Sequence, residues 1–171
     1  MKTINQPNKG DYSDFFSTYL NLVAGENFEV LILDQIKLIH ELFLSKDRKW
    51  AETAYDEGKW TPKEVLGHII DTERIMTFRA LCFARGEESE LPGFDQDPYV
   101  LNAKFGAVPL LDLLEDFKIQ RMAMLSMLKT LPEDSLDTMG KASGNPITPR
   151  ALFWIIPGHF MHHFNILKTK Y

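Results

Sequence analysis

The sequence predicts an all-α fold, a four-helix bundle in up-down-down-up order with a long crossover between its second and third helices. Three observations carry this expectation. Four long segments repeat apolar residues at three- and four-residue steps, as helices with one buried face require. No segment sustains period-two alternation and no unit recurs at a fixed spacing, so sheets and solenoids are poor readings. The stretch 86–108 is far longer than a helix hairpin needs, and a segment of that length can cross the bundle from end to end. Helices two and three can then run parallel.

Along the chain, residues 1–10 read as a polar tail without the apolar run of a signal peptide or membrane span, which leads us to expect a cytoplasmic protein. Residues 11–171 read as one domain, because 171 residues suffice for one well-buried core and not for two ordinary domains. A short helical piece is expected over 11–23. The first long helix covers Phe28–Leu44, where Leu31, Ile36, Ile39 and Phe43 fall at helical spacing. The second opens on Thr61-Pro62-Lys63-Glu64, which supplies an N-cap, a proline at the first helical position and a capping-box glutamate. It runs to Ala84 or Arg85 and stops at Gly86. Pro109 opens the third, whose stripe includes Leu113, Phe117, Met124 and Leu128 and which ends near Leu131-Pro132. Thr148-Pro149 starts the fourth, which runs close to Tyr171.

Composition limits the chemistry. Apolar residues make up 44% and charged residues 25%, the balance of a globular protein. The formal charge of -5 leaves no basic surplus to neutralise phosphates, so neither nucleic acid nor an anionic membrane is an expected partner. With Cys82 the one cysteine, neither an internal disulfide nor a Cys-x-x-Cys motif is possible. A metal, if bound, must be held by histidine or carboxylate.

The histidines carry the candidate chemistry. His159 and His163 stand four apart on the fourth helix, on one face and roughly 6 Å apart. Among five histidines such a spacing arises by chance often enough to need corroboration. His68 supplies it, about two turns into the second helix. In an up-down-down-up bundle helices two and four are antiparallel. His68 lies seven residues after Thr61 and His163 eight before Tyr171, so the three rings can meet at one end. On spacing alone two readings stand: one divalent ion with an open coordination position, or three partly buried histidines satisfied by ordinary hydrogen bonds.

The run Lys59-Trp60-Thr61-Pro62 through Gly67-His68 to Asp71-Thr72-Glu73-Arg74 resembles the central signature of the DinB/YfiT-like family. So do Leu91-Pro92-Gly93-Phe94-Asp95-Gln96-Asp97 and the closing Gly158-His159-x-x-His162-His163 with Tyr171. The similarity spans about 11–171 and keeps motif order and spacing. It implies an up-down-down-up bundle and a metal site at His68, His159 and His163. The family name derives from a damage-inducible gene and gives no reason to invoke DNA. Members resemble metal-dependent hydrolases or thiol-dependent S-transferases, and a maleylpyruvate isomerase belongs to the wider group. The shared logic is that an open position on a histidine-bound ion lowers the pKa of a water or a thiol.

Other residues carry competing roles. Position 160 is Phe160, so no His-Glu-x-x-His glutamate stands beside the first ligand and peptidase chemistry of that type is disfavoured; a drier or differently shaped pocket is a second consequence. Pro157 should kink the fourth helix without breaking it. Glu64 is explained by its capping box. Asp71 either orients an imidazole or pairs with Arg74, Arg79 or Arg121. Trp60 either walls a substrate pocket or staples the helix start. His162 points roughly 100° away from His163 and reads as a rim residue, and His40 as structural. Cys82 lies about 21 Å along the helix from His68 and reads as a core thiol. Met122, Met124 and Met127 read as adaptable packing.

Three classes of function follow. The first is an enzyme acting on a small molecule, either a thiol S-transferase using a low-molecular-weight thiol or a metal-dependent hydrolase, with transfer preferred on resemblance alone. Zinc or nickel is the expected ion, with iron or manganese as alternatives, since three imidazoles suit them all. The second is a non-catalytic metal-binding module of a stress response. The third is a structural bundle, homodimeric through exposed Met and Phe residues.

Overall fold

A computed structural model describes residues 4–171; the first three residues of the expected tail lie outside the described residues. The rest of that tail is partly anchored. Ile4 is buried, the Asn5 carbonyl accepts the Trp154 indole N–H at 2.8 Å, and Gln6 Nε2 donates to the Val23 carbonyl at 2.6 Å. The indole of a buried tryptophan needs an acceptor, and this otherwise polar segment supplies one.

The helical piece near the N-terminus is a 3-10 turn, Asp14–Phe16, continued by α1, Ser17–Asn21. Then come α2, Phe28–Leu44, and a single turn, α3, Arg48–Ala51. The long α4, Pro62–Ala84, begins on the complete capping box: Glu64 N–H donates to Thr61 Oγ1 at 3.3 Å and Thr61 N–H to Glu64 Oε2 at 2.7 Å. Gly86, at φ +85°, follows its C-cap Arg85. The crossover carries α5, Gln96–Ala103, and leads to α6, Leu110–Thr130. A hairpin of β1, Gly140–Ala142, and β2, Asn145–Ile147, precedes α7, Pro149–Thr169, whose N-cap Thr148 accepts from Ala151 N–H at 3.2 Å. The four long helices stand where the periodicity predicts. The single turn α3, helix α5 and the hairpin are additions: three-residue strands are too short to show alternation, and α5 has no clear apolar face.

Contacts between side chains fix the directions. Trp60, before α4, accepts a hydrogen bond from the hydroxyl of Tyr171, after α7, so these two helices are antiparallel. The α4 pairs Arg74–Asp116 and Glu73–Arg121, with Lys63 donating to the Gly106 carbonyl at 2.8 Å, make α6 parallel to α4. Phe28 packs on Phe153 and Trp154, and Trp50 on Tyr171, so α2 runs with α7. The order is up-down-down-up. The crossover bonds to the hairpin at one end, where Leu91 N–H donates to Lys141 O at 2.9 Å, and reaches Gly67 through Phe105 at the other.

Two apolar clusters fill the bundle, one around Phe28, Phe83, Phe153 and Trp154, the other around Phe43, Phe117, Phe160 and Phe164. A polar network is buried among the long helices. Arg121 Nε stands 2.7 Å from Glu73 Oε2, its Nη1 donates to Gln35 Oε1 at 2.8 Å, and Gln35 Nε2 donates to the Pro157 carbonyl at 3.0 Å. Burial pushes the Glu73 carboxyl up to about 7 even beside the guanidinium. Gln35 thereby ties α2 and α6 to α7 at the proline, through which α7 continues unbroken.

Arg121→Ala leaves the buried Glu73 without its counter-charge and Gln35 without its donor. A loss of about 3–5 kcal/mol in urea unfolding is expected.

Candidate metal centre

The sequence places two of its candidate ligands beside glycines, and the structure gives both glycines a use. A Cβ at Gly158 would stand 2.3 Å from the Tyr19 carbonyl oxygen, and one at Gly67 would stand 2.3 Å from the Phe105 ring. Only hydrogen fits at either position, so α1 closes on α7 next to His159 and the crossover closes on α4 next to His68. Antiparallel packing of α4 and α7 then brings His68 opposite His159 and His163.

His159 Nε2 lies 3.1 Å from His68 Nε2 and 3.1 Å from His163 Nε2, and one donor atom from each of the three rings falls within 4.8 Å of the others. His68 and His159 are buried, and His163 is half-buried. Burial lowers all three pKa values, with the neighbouring imidazoles adding to the effect at His159 and His163. His68 falls to about 4 and His163 to about 3, and His159 drops well below its ordinary value. The rings are therefore neutral at pH 7, the form that ligates metal.

Ordinary hydrogen bonds do not satisfy this arrangement. A neutral imidazole Nε2 is either one donor or one acceptor, so His159 Nε2 can bond one neighbour and leaves the second contact unmet. Three neutral imidazoles with ligand atoms within 4.8 Å of one another suit a cation. The 3.1 Å separations are close to the roughly 3.3 Å between nitrogens that each stand about 2.0–2.1 Å from a tetrahedral zinc. The residues present fit a divalent ion.

Neighbouring groups hold the rings. Thr72 Oγ1 lies 3.4 Å from His68 Nδ1, a long contact that favours the proton on Nδ1 and frees Nε2. The Trp60 ring lies 4.9 Å from that of His68, and the Tyr19 ring meets His159 edge-on at 5.5 Å. Two clefts flank the histidines. One, of about 420 Å³, touches His68 and His159; the other, of about 270 Å³, touches His163, Trp60 and Tyr171. A cleft of about 460 Å³ around Lys63 and Glu52 includes none of the three.

The remaining candidates separate clearly. Asp71 takes its ion-pair alternative, 3.6 Å from Arg74 Nη1, and the group facing His68 Nδ1 is Thr72. Trp60 does line a cleft with a candidate ligand. Phe160 is fully buried against Phe117 and Phe164, so it builds core and does not shape the clefts. His162 is exposed and touches Tyr19 edge-on. Thr72, one turn after His68, was available to spacing arguments. Tyr19 and Phe94 reach the site through contacts distant in sequence, and no local pattern marks them.

Residues 35–167 match the family model of the DinB superfamily. The chain belongs to the DinB superfamily. Among solved structures it is similar to YfiT from Bacillus subtilis, described as a probable metal-dependent hydrolase with an unusual four-helix bundle topology. The identity is 13%, the match covers 96% of this chain and 90% of that chain, and the TM-score is 0.74. At that identity the likeness establishes the fold. No curated protein matches the sequence. Among the described residues no helix of this DinB-superfamily bundle is long and apolar enough to cross a membrane.

The lowered histidine pKa values give metal-free protein a defined acid response. Between pH 6.5 and about 4 the unfolded chain takes up protons that the folded histidines refuse, so stability falls as pH falls through that window. Glu73, raised to about 7, and Asp71, also raised by burial, act in the opposite direction, two groups against three. The thermal midpoint of metal-free protein should drop between pH 7 and pH 5, and replacing His68 with Leu should reduce that drop.

Proposed function

We propose that this chain is a metal-dependent hydrolase of a small molecule, with His68, His159 and His163 holding one divalent ion. The observation that carries the reading is the convergence of three neutral Nε2 atoms between two clefts, which leaves room for other ligands beside the imidazoles. When bound, the ion supplies Lewis acidity and lowers the pKa of a water toward neutrality.

The chain's own residues do the rest. Thr72 orients His68, the Gln35 contact to the Pro157 carbonyl anchors α7 just ahead of His159, and the Trp60 and Tyr19 rings wall the centre. With Phe160 turned into the core, no carboxylate stands beside His159 on α7 to act as base. Zinc or nickel suits a three-imidazole set, with iron and manganese as alternatives. The preference for thiol transfer rests on resemblance alone and gains no support, whereas the solved neighbour is described as a probable metal-dependent hydrolase. Hydrolysis is therefore the reading we favour.

Protein reconstituted separately with zinc, nickel, manganese and ferrous iron should hydrolyse one or more members of a panel of small esters, amides and lactones. Chelation or His163→Ala should lower the rate at least 100-fold. Metal-dependent conjugation of an electrophile to a thiol, without hydrolysis of any panel member, would overturn the assignment.

A further inference from the structure

The two clefts beside the histidines differ in character, and the difference bears on what the site accepts. The larger one is walled by Phe15, Phe16, Tyr19, Met76 and Phe94, with Thr72 and Gln96 as neutral polar groups. With its histidines neutral, its one charged side chain is Asp95, and no lysine or arginine lines it. The smaller cleft carries Lys59, Asp97 and the Tyr55 and Tyr171 rings beside His163.

The aromatic wall is built, not incidental. Arg79, only 6% exposed, donates through Nη2 to the Pro92 carbonyl at 2.7 Å and to Ser143 Oγ at 3.2 Å, which fastens the crossover to the hairpin. Its guanidinium also lies 5.9 Å from the centre of the Phe94 ring, and the Tyr99 ring stands 5.3 Å from the same ring. On the opposite side Phe15 is 68% exposed yet packs edge-on against both Phe16 and Tyr19, at 5.3 and 6.1 Å. An exposed phenyl ring at the mouth of an aromatic cleft is a surface that a ligand would cover.

We infer that this cleft is the subsite for an aromatic or bulky apolar group of a neutral or cationic substrate, and that it rejects carboxylates and phosphates. About 420 Å³ accommodates a group of phenyl size, and apolar walls with a few placed polar groups are the usual form of a small-molecule site. Asp95 repels an anion and attracts a cation, and no lysine or arginine in the lining opposes it; a divalent ion on His68 and His159 would add a positive charge only at the inner end of the cleft. The apolar group occupies this cleft beside His68 and His159, and the rest of the molecule extends past the histidines toward His163. The assignment of this molecule as substrate rests on the hydrolase reading; the binding preference does not.

The test titrates the full-length chain with 2-phenylacetamide, phenethylamine, phenylacetate and acetamide while NMR resonances are followed. It is run on zinc-loaded protein and on His163→Ala kept free of metal with chelator, where a carboxylate gains nothing from an ion. In the variant, phenylacetamide and phenethylamine should bind at least tenfold more tightly than phenylacetate or acetamide. Phe94→Ala, and Phe15→Ala at an exposed position that leaves folding intact, should each weaken both aromatic probes several-fold. Asp95→Asn, which keeps the cap on α5, should shrink the advantage of phenethylamine over phenylacetate. Equal binding of phenylacetate and phenethylamine by His163→Ala, or unchanged affinities in Phe94→Ala and Phe15→Ala, would overturn the subsite. Retained probe binding without metal-dependent turnover would count against hydrolysis and leave the subsite standing.

Discussion

The antiparallel packing of α4 against α7 is the constraint on which the site depends. It sets the depth at which His68 faces His159 and His163, and a slip of one helical turn, about 5.4 Å, would separate them. Several features hold that register. Tyr171 bonds the Trp60 carbonyl at one end, and Phe83 lies against Gly140, in the hairpin that leads into α7, at the other. Between these ends the Gln35–Arg121–Glu73 network ties α7 to α2, α6 and α4 at Pro157, two residues before His159. A buried charge pair is a weak source of stability, yet it penalises any arrangement that separates its members. A network of directional bonds therefore fixes position here more than it adds stability.

That constraint also explains the amino acids of α7. Residues 149–160 are buried on every side, because α1, α2, α4 and the turn at Asp134–Asp137 surround the first half of the helix. Apart from Arg150, which is paired with Glu133 and Asp137, and His159, the stretch is apolar all round, as a central helix requires. Phe160 belongs to that requirement: it stacks on Phe117 and Phe164, while His159, one position earlier, faces α4. A glutamate in its place would be buried among phenyl rings. On the proposed reading the ion would activate the nucleophile, while Thr72, Tyr19 and Trp60 stand against the imidazoles that would hold it.

Much of this was legible in the sequence. The capping box at Thr61 and Glu64, the Thr148-Pro149 start and the 3.6-residue periodicity define the long helices locally, and the length of 86–108 carries the topology. The histidines could be brought together by comparing depths along antiparallel helices. What could not be read depends on contacts distant in sequence. Tyr19 meets His159 because Gly158 lets α1 approach, and Phe94 reaches the site because Arg79 holds the crossover to the hairpin. Asp71 and Thr72 show the limit of local reasoning: both lie within a turn of His68, and only the three-dimensional arrangement shows that Arg74 draws Asp71 away.

The central claim concerns atoms, and a method that sees the ion tests it most directly. X-ray absorption at the zinc edge, or anomalous diffraction from crystals of zinc-loaded protein, should find one ion per chain bound by Nε2 of His68, His159 and His163 at about 2.0–2.1 Å. An ion held by other residues, or no ion among these three imidazoles at saturating zinc, would contradict the account.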